Sequence, residues 1–213
     1  MNKLDSSHVE RAISSVDEVV TSLGFKRRTR QRYVKNAADG VVHGVTFDAN
    51  LLDDELRLTP SFVIFHNVAG RLIENAVGGR RQEVGDFATD AALHNRPVKL
   101  LAATGREQAS SPDYVISDPL QIGGVLQKLS EDLLGASSQF FSSQATLDLL
   151  IARIETDDEA GGERRLAVLM ALYFVASRLN KLLPLARRLE VGVASPATIA
   201  MRDYLLRRLR DDG

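Results

Sequence analysis

The strongest constraint on this fold is a change in hydrophobic period along the chain. Residues 41–48 read VVHGVTFD and alternate strictly, so that one face of a strand would carry Val41, His43, Val45 and Phe47. Beyond residue 143 the apolar residues recur instead at steps of three and four, as in Leu147, Leu150, Ile151 and Ile154. The pattern predicts an α+β fold, with an N-terminal helix packed on an antiparallel sheet of three to five strands and an all-helical C-terminal part.

The predicted boundary divides the chain into an α+β region, residues 1–142, and a helical region, residues 143–213. The helical region would pack on the first, either as a separate domain or as part of a single one. A chain of 213 residues is long enough for either arrangement.

The N-terminal region begins with a predicted helix. Ser7 and Glu10 have the spacing of a capping box, and Gly24 suits the left-handed position after the last helical turn. Three strand-like segments follow, at residues 26–35, 41–48 and 60–68, with an Asp-Gly turn in residues 36–40. Short connections between neighbouring strands predict a meander.

Two later helices have clear sequence signals. Asp118-Pro119-Leu120-Gln121 combines an N-cap residue, a proline at the first helical position and a glutamine at the third. Residues 164–183 form one long predicted helix that Pro184 interrupts. The apolar run 166–176 inside it is too short to span a bilayer, so it predicts a buried core helix rather than a membrane segment.

The same periodicity selects a core from both regions of the chain. The side chains expected to be buried are Val16, Val20, Phe25, Phe62, Ile64, Leu126, Leu169 and Phe174.

Composition excludes several classes of function. The formal net charge is -1, which disfavours a general nucleic-acid-binding role. Cysteine is absent, which excludes disulfides, thiolate catalysis and cysteine-type zinc sites and fits a cytoplasmic location. The N-terminal residues have no apolar stretch typical of a signal peptide. No phosphate-binding loop, nucleophile elbow or metal motif occurs, so we expect neither cofactor nor metal.

Residues 26–35, KRRTRQRYVK, form the most unusual local feature, with six basic side chains and no acid. The arginines in it are Arg27, Arg28, Arg30 and Arg32. They could receive an acidic partner protein, or they could protect the edge of a sheet from unwanted pairing. A nucleic acid is disfavoured because the run lacks interleaved aromatic residues for base stacking.

An acidic group follows the second predicted strand. Asp53, Asp54 and Glu55 would lie in a loop, either as a solvated turn or as an acidic surface facing a partner. They could also pair with the arginines of the basic run, which would favour a purely structural explanation for both groups.

An enzymatic alternative depends on dispersed residues. His43 and His66 lie on predicted strands and would be neighbours if those strands pair, with Asp48 as a third group. No further ligand at metal-binding spacing accompanies them. A histidine satisfied within the core or at the surface is the simpler explanation.

Several of these segments together resemble a known family. The sequence combines Leu23-Gly24-Phe25, an aromatic Tyr33, a strand with Phe47, a strand with Phe62, and the helical segments FFSSQATLDLLIARI and RRLAVLMALYFVASRLNKL. In this it resembles the bacterial domain of unknown function 4304 family over most of its length. The family has no established activity, and its members look like accessory or immunity-type proteins. The resemblance therefore implies a non-enzymatic bacterial binding protein that occludes a toxin or another partner protein.

Overall fold

A helix and a four-stranded meander begin the fold. The computed structural model describes residues 4–29, 31–76, 93–95, 114–156, 162–191 and 194–211. The N-terminal elements are helix α1 (Ser6–Ser22), strands β1 (Lys26–Thr29), β2 (Arg32–Asn36), β3 (Val41–Leu52) and β4 (Glu55–His66), and helix α2 (Asn67–Ala76). Two short strands follow, β5 (Leu93–Asn95) and β6 (Tyr114–Ile116).

The remaining described elements are helical. A 3-10 turn (Pro119–Gln121) leads into α3 (Ile122–Asp132), and a π-helical turn (Leu133–Ser137) joins α3 to α4 (Ser138–Ser142). The last four helices are α5 (Leu147–Thr156), α6 (Gly162–Val175), α7 (Leu179–Val191) and α8 (Pro196–Asp211).

The sheet joins neighbouring strands in chain order. Its order is β1-β2-β3-β4-β5, and β6 also pairs antiparallel with β4, giving six strands among the described residues. The predicted fold class, an N-terminal helix, then an antiparallel sheet, then helices, is confirmed. A fourth strand is predicted from the alternation of Val98, Leu100 and Ala102 with their neighbours, but residues 98–103 lie outside the described residues.

Two strand boundaries differ from the prediction. The basic segment 26–35 is two strands, β1 and β2, rather than one. The strand predicted to begin at Pro60 begins at Glu55, so Pro60 lies inside β4. Val68, predicted on that strand, is an exposed residue of α2.

By its internal contacts the chain divides into two compact units. Unit 1 comprises Met1–Asn36, His43–Val63 and His94–Ser143, and unit 2 comprises Ala37–Val42, Ile64–Leu93 and Gln144–Gly213. Strands β3 and β4 each contribute residues to both units, so no single position in the sequence separates the two units.

An aromatic cluster forms the centre of unit 1. The ring of Phe141 lies 5.5 Å from Phe25, 5.6 Å from Phe62 and 5.4 Å from Phe140 between centroids. The imidazole of His43 stacks on Phe141 at 4.6 Å. Tilted and edge-on contacts of this kind add to the apolar area that the rings bury, so α4 is held against the sheet.

A buried hydrogen bond joins β6 to α3 in unit 1. The hydroxyl of Tyr114 donates to Oδ2 of Asp132 over 2.9 Å, and both residues are buried. Burial, and then the neighbouring carboxylate, raises the pKa of Tyr114. The phenol therefore stays protonated and remains a donor to the carboxylate.

Replacing Tyr114 with Phe should lower the free energy of unfolding by about 1–3 kcal/mol, because a buried carboxylate loses one of its donors. Urea unfolding of the variant measures the loss. The matched control is Tyr204→Phe on α8, where the described residues offer the hydroxyl no hydrogen bond, and this variant should change stability little. Equal losses in the two variants would contradict a role for the Tyr114–Asp132 bond.

Helix α6 is the centre of unit 2. Seven consecutive residues, 167–173, are buried, and the helix packs against α2, α5, α7 and α8. A helix that is apolar on all sides requires neighbours around its whole circumference. The predicted buried core helix is confirmed, and no helix among the described residues has the length and apolar character needed to cross a membrane.

Both ends of helix α1 are capped by nearby residues, but the N-cap is not the predicted one. Gly24 has φ 84°, and the amides of Gly24 and Phe25 donate to the carbonyls of Thr21 and Val20, which is the Schellman arrangement that the glycine predicted. At the other end of α1 the N-cap is Asp5, with His8 completing the box, and not Ser7. The Asp5 carboxylate reaches two amides of the first turn and so replaces the predicted serine.

The long helix predicted over residues 164–183 is interrupted earlier than expected. Ser177 has φ 54°, and the amides of Ser177 and Arg178 close a second Schellman arrangement on Phe174 and Tyr173. Pro184, predicted to break the helix, lies inside α7. The predicted helix start, with Asp118 as N-cap and Gln121 at the third position, is confirmed, and the two residues form a capping box.

The predicted core is largely confirmed. Val16, Val20, Phe25, Phe62, Ile64, Leu126 and Leu169 are all buried. The prediction that Phe174 is buried is wrong. Its side chain is only half-buried, because it lies next to the C-terminal end of α6.

Candidate binding surface

Strand β1 lies at one edge of the sheet, and all four of its side chains are exposed. It pairs with β2 in antiparallel register, Lys26 with Val34, Arg27 with Tyr33, and Thr29 with Arg32. The register shifts between Arg27 and Thr29, which leaves Arg28 as the extra residue of a β-bulge. We refer to residues 26–35, strands β1 and β2 with their turn, as the basic hairpin.

Among the described arginines of the basic hairpin, Arg27 is anchored within the fold. Its guanidinium lies 3.4 Å from the carboxylate of Asp17 on α1, and its Nε donates to the carbonyl of Thr29. Tyr33, which pairs with Arg27 across the two strands, is buried. Burial and the nearby Asp17 carboxylate raise the pKa of Tyr33 to about 12, and the positive charge of Arg27 opposes that rise. The role of Asp17 is not visible in the sequence pattern, since it lies ten residues away on another element.

Arg28 and Arg32, the other two described arginines of the basic hairpin, are placed differently. Among the described residues, neither Arg28 nor Arg32 makes an ion pair or a side-chain hydrogen bond, and the same holds for Lys26. Arg28 is exposed and Arg32 is half-exposed. Arg30 lies outside the described residues. Lys26 and Arg28 therefore present two cations to solvent on the edge strand β1, and Arg32 presents a third, partly covered, at the start of β2.

Lys35 belongs to the fold rather than to this surface. Its Nζ donates to the carbonyl of Leu23 over 3.1 Å and lies 5.8 Å from the centre of the Phe25 ring. A cation at the C-terminal end of a helix interacts favourably with the helix dipole, so Lys35 stabilises the end of α1.

The acidic group is a tight turn followed by the start of a strand. Asp53 and Asp54, with φ 51° and 63°, connect β3 to β4, and two successive positive φ angles are the geometry of a type I′ hairpin turn. Glu55 is the first residue of β4 rather than a loop residue. The Glu55 carboxylate accepts from Arg57 at 3.2 Å and from the hydroxyl of Ser117 at 3.3 Å. Neither of these two partners of Glu55 is an arginine of the basic hairpin.

His43 and His66 both make structural contacts, His43 within unit 1 and His66 within unit 2. His43 is buried against Phe141 in unit 1. In unit 2, Nε2 of His66 donates to the carbonyl of Asp39 over 2.7 Å, and Nδ1 accepts from the amide of Ala69 over 3.2 Å. His66 thereby caps the first turn of α2 and holds the turn that precedes β3.

The turn that His66 holds requires a glycine. Gly40 has φ 77°, and a Cβ atom there would lie 3.0 Å from Nε2 of His66. The Asp-Gly turn predicted from the sequence is thus confirmed and also serves as the contact surface for a buried imidazole.

Asp48 does not join His43. The two residues are five positions apart on β3, so their side chains lie on opposite faces of the strand, and Asp48 is exposed. In the described ranges no three His, Cys, Asp or Glu side chains form a group that could hold a metal ion.

Comparisons with protein-family models, with curated proteins and with solved structures find no match to this chain. Family membership therefore stays a prediction from the resemblance alone.

Proposed function

We propose that this chain is a non-enzymatic binding protein whose basic hairpin receives an acidic partner protein. The observation that supports this most directly is the position of Lys26 and Arg28 on the edge strand β1 and of Arg32 at the start of β2, with no ion pair among the described residues. Guanidinium groups bind carboxylates through two parallel hydrogen bonds, which favours an acidic protein surface as the partner.

The resemblance noted in the sequence narrows the partner class within this proposal. An immunity-type protein acts by covering the active surface of a toxin, and a charged, rigid edge suits that role. The basic hairpin is held rigid from its inner face, because Arg27 is tied to Asp17 and Lys35 to the end of α1. Its outward cations are thus presented on an ordered support, which reduces the entropy lost on binding.

Edge protection is the competing explanation for the same features. A bulge and a row of basic residues are devices by which sheets avoid pairing with other chains. Under that explanation the cations need no partner, and their reversal would change aggregation without changing any specific association.

Charge reversal of Lys26 and Arg28 to Glu should slow partner association on the order of tenfold at low salt and reduce its salt dependence, because both charges steer the encounter. The partner is first captured from a lysate of the source organism and purified, and association rates are then measured at low and moderate salt. A short acidic peptide and an oligonucleotide serve as additional probes, and only the peptide should bind.

The matched control reverses two arginines of unit 2. Arg187 and Arg188 are exposed on α7, and their replacement with Glu changes the net charge by the same amount. This control should associate like the wild type. Equal slowing in both double variants would remove the basic hairpin from the binding surface, and unchanged rates in both would leave edge protection as its role.

A further inference from the structure

His66 joins two parts of unit 2 through opposite nitrogens of its ring. Its Nε2 lies 2.7 Å from the carbonyl oxygen of Asp39, in the exposed turn before β3. Its Nδ1 lies 3.2 Å from the amide nitrogen of Ala69, in the first turn of α2. The amide of Asn67 also donates to the carbonyl of Gly40, over 3.1 Å. A buried side chain and a backbone hydrogen bond thus hold the start of α2 against this turn.

The two bonds of His66 determine the protonation state of its ring. A backbone amide can only donate, so Nδ1 presents a lone pair to Ala69 and carries no proton. A backbone carbonyl can only accept, so Nε2 carries the proton that it donates to Asp39. The imidazole is therefore neutral, in the tautomer with its proton on Nε2, and this follows from the identity of its two partners.

A second proton on His66 would break one of these bonds and keep the other. It would bind Nδ1 and point at the N–H of Ala69, so two donors would meet at 3.2 Å with no acceptor between them. The added charge would also lie at the N-terminal end of α2, where the helix dipole is unfavourable for a cation. The bond from Nε2 to Asp39 would survive, because an imidazolium is a stronger donor than an imidazole.

The charges around His66 favour the side of the turn. Burial lowers the pKa of His66, and the carboxylate of Asp39 partly opposes this. That pKa is not shifted by the charged side chains on α2, on α8, which packs against α2, or in the first turn of α5, among them Arg71, Glu74, Arg202, Asp203 and Asp148. The described side chains of α6, which also packs against α2, carry no charge. Among the described groups, Asp39 therefore attracts an imidazolium that leaves α2.

We propose that His66 is a pH-sensitive switch that caps α2 when neutral and, when protonated, releases the first turn of α2 while the imidazolium stays with the turn at Asp39. Release removes the acceptor of the Ala69 amide, one of the helix donors that have no partner within their own helix. Ala69 is buried, as are Leu72 and Ile73 one turn later. The order of this buried helix end therefore depends on pH, below the usual histidine pKa of about 6.5.

Hydrogen exchange of single amides in the full chain, followed by NMR at about pH 7.5 and about pH 5.5, tests the switch. The protection factor of the Ala69 amide, which corrects for the intrinsic pH dependence of exchange, should fall about fivefold or more. The reason is that the released state binds a proton that the capped state excludes. At the lower pH this exchange should be insensitive to low concentrations of urea, as expected of a local opening.

His66→Gln is the matched control, because glutamine can still accept from Ala69 but does not titrate near neutrality. Its Ala69 protection factor should change by less than about twofold between the same two pH values, and urea unfolding verifies that the variant is folded. The Val41 amide, which donates to Ala38 within the turn, should not share the opening of Ala69. Unchanged protection of Ala69 in the wild type, an equal fall in the variant, or equal protection factors at Ala69 and Val41 would overturn the proposal.

The nitrogen signals of the His66 ring provide a second readout in the wild-type chain. At about pH 7.5, ¹⁵N chemical shifts should show Nδ1 without a proton and Nε2 with one, and the ring should titrate below the usual value of about 6.5. A proton on Nδ1 at this pH overturns the switch, whatever the stability of His66→Gln. His66 belongs to unit 2 and the basic hairpin to unit 1, so this proposal and the binding of an acidic partner are tested separately.

Discussion

Truncation of Phe62 to Ala should lower the free energy of unfolding by about 3–5 kcal/mol, the usual cost of removing a fully buried aromatic ring. Phe62 is 2% exposed and contacts both Phe140 and Phe141 in the aromatic cluster of unit 1. Its loss would leave a cavity between the sheet and α4 that neither remaining ring fills without moving. Urea or thermal unfolding of the purified variant measures the effect.

Phe174→Ala is the matched comparison for this truncation. The same atoms are removed, but from a half-buried position on α6. The expected loss is about 1–2 kcal/mol, since less apolar surface is returned to water. A loss below about 1 kcal/mol for Phe62→Ala, or equal losses for the two variants, would contradict the packing of the aromatic cluster.

Replacing His66 with Ala should cost about 2–4 kcal/mol, because the buried ring packs unit 2 and satisfies two backbone groups. The carbonyl of Asp39 and the amide of Ala69 would both lose their partner. Unfolding in urea at about pH 8, well above the usual histidine pKa, measures this loss without protonation of the imidazole. Stability close to that of the wild type would show that other groups replace the histidine.

His66 should also make stability depend on pH. Burial lowers the pKa of His66, and the hydrogen bond to Asp39 only partly opposes this. Below the usual pKa of about 6.5 the unfolded chain binds a proton that the folded chain does not, so the unfolded state is favoured. The contribution of His66 is therefore fully present above that pH and is lost as the pH falls toward the lowered value.

The difference between the wild type and His66→Gln isolates this effect. Glutamine can still donate and accept hydrogen bonds but does not titrate near neutrality. Between about pH 7 and pH 5 the wild type should lose more stability than the variant. Parallel loss in the two proteins would assign the pH dependence to other groups.

Part of the candidate surface could be predicted from the sequence. The run of cations at residues 26–35 and the acidic group at 53–55 are visible as composition, and the requirement that unpaired guanidinium groups stay exposed follows from solvation alone. Which cations bond within the fold and which remain without an ion pair could not be predicted. Arg27 is tied to Asp17, and Lys35 to Leu23, by contacts with a helix that precedes them in the chain.

The alternating residues 41–48 and the glycines at 24 and 40 were sufficient by themselves to predict a strand, a helix end and a turn. These features follow from a residue's own backbone preferences and from the period of its neighbours, both of which are local. Tertiary structure decided the rest. It divided the basic segment into two strands, extended β3 to Leu52, and used His66 to cap α2. Strand pairing and side-chain capping of this kind depend on groups distant in sequence, whose approach is fixed only when the whole unit packs.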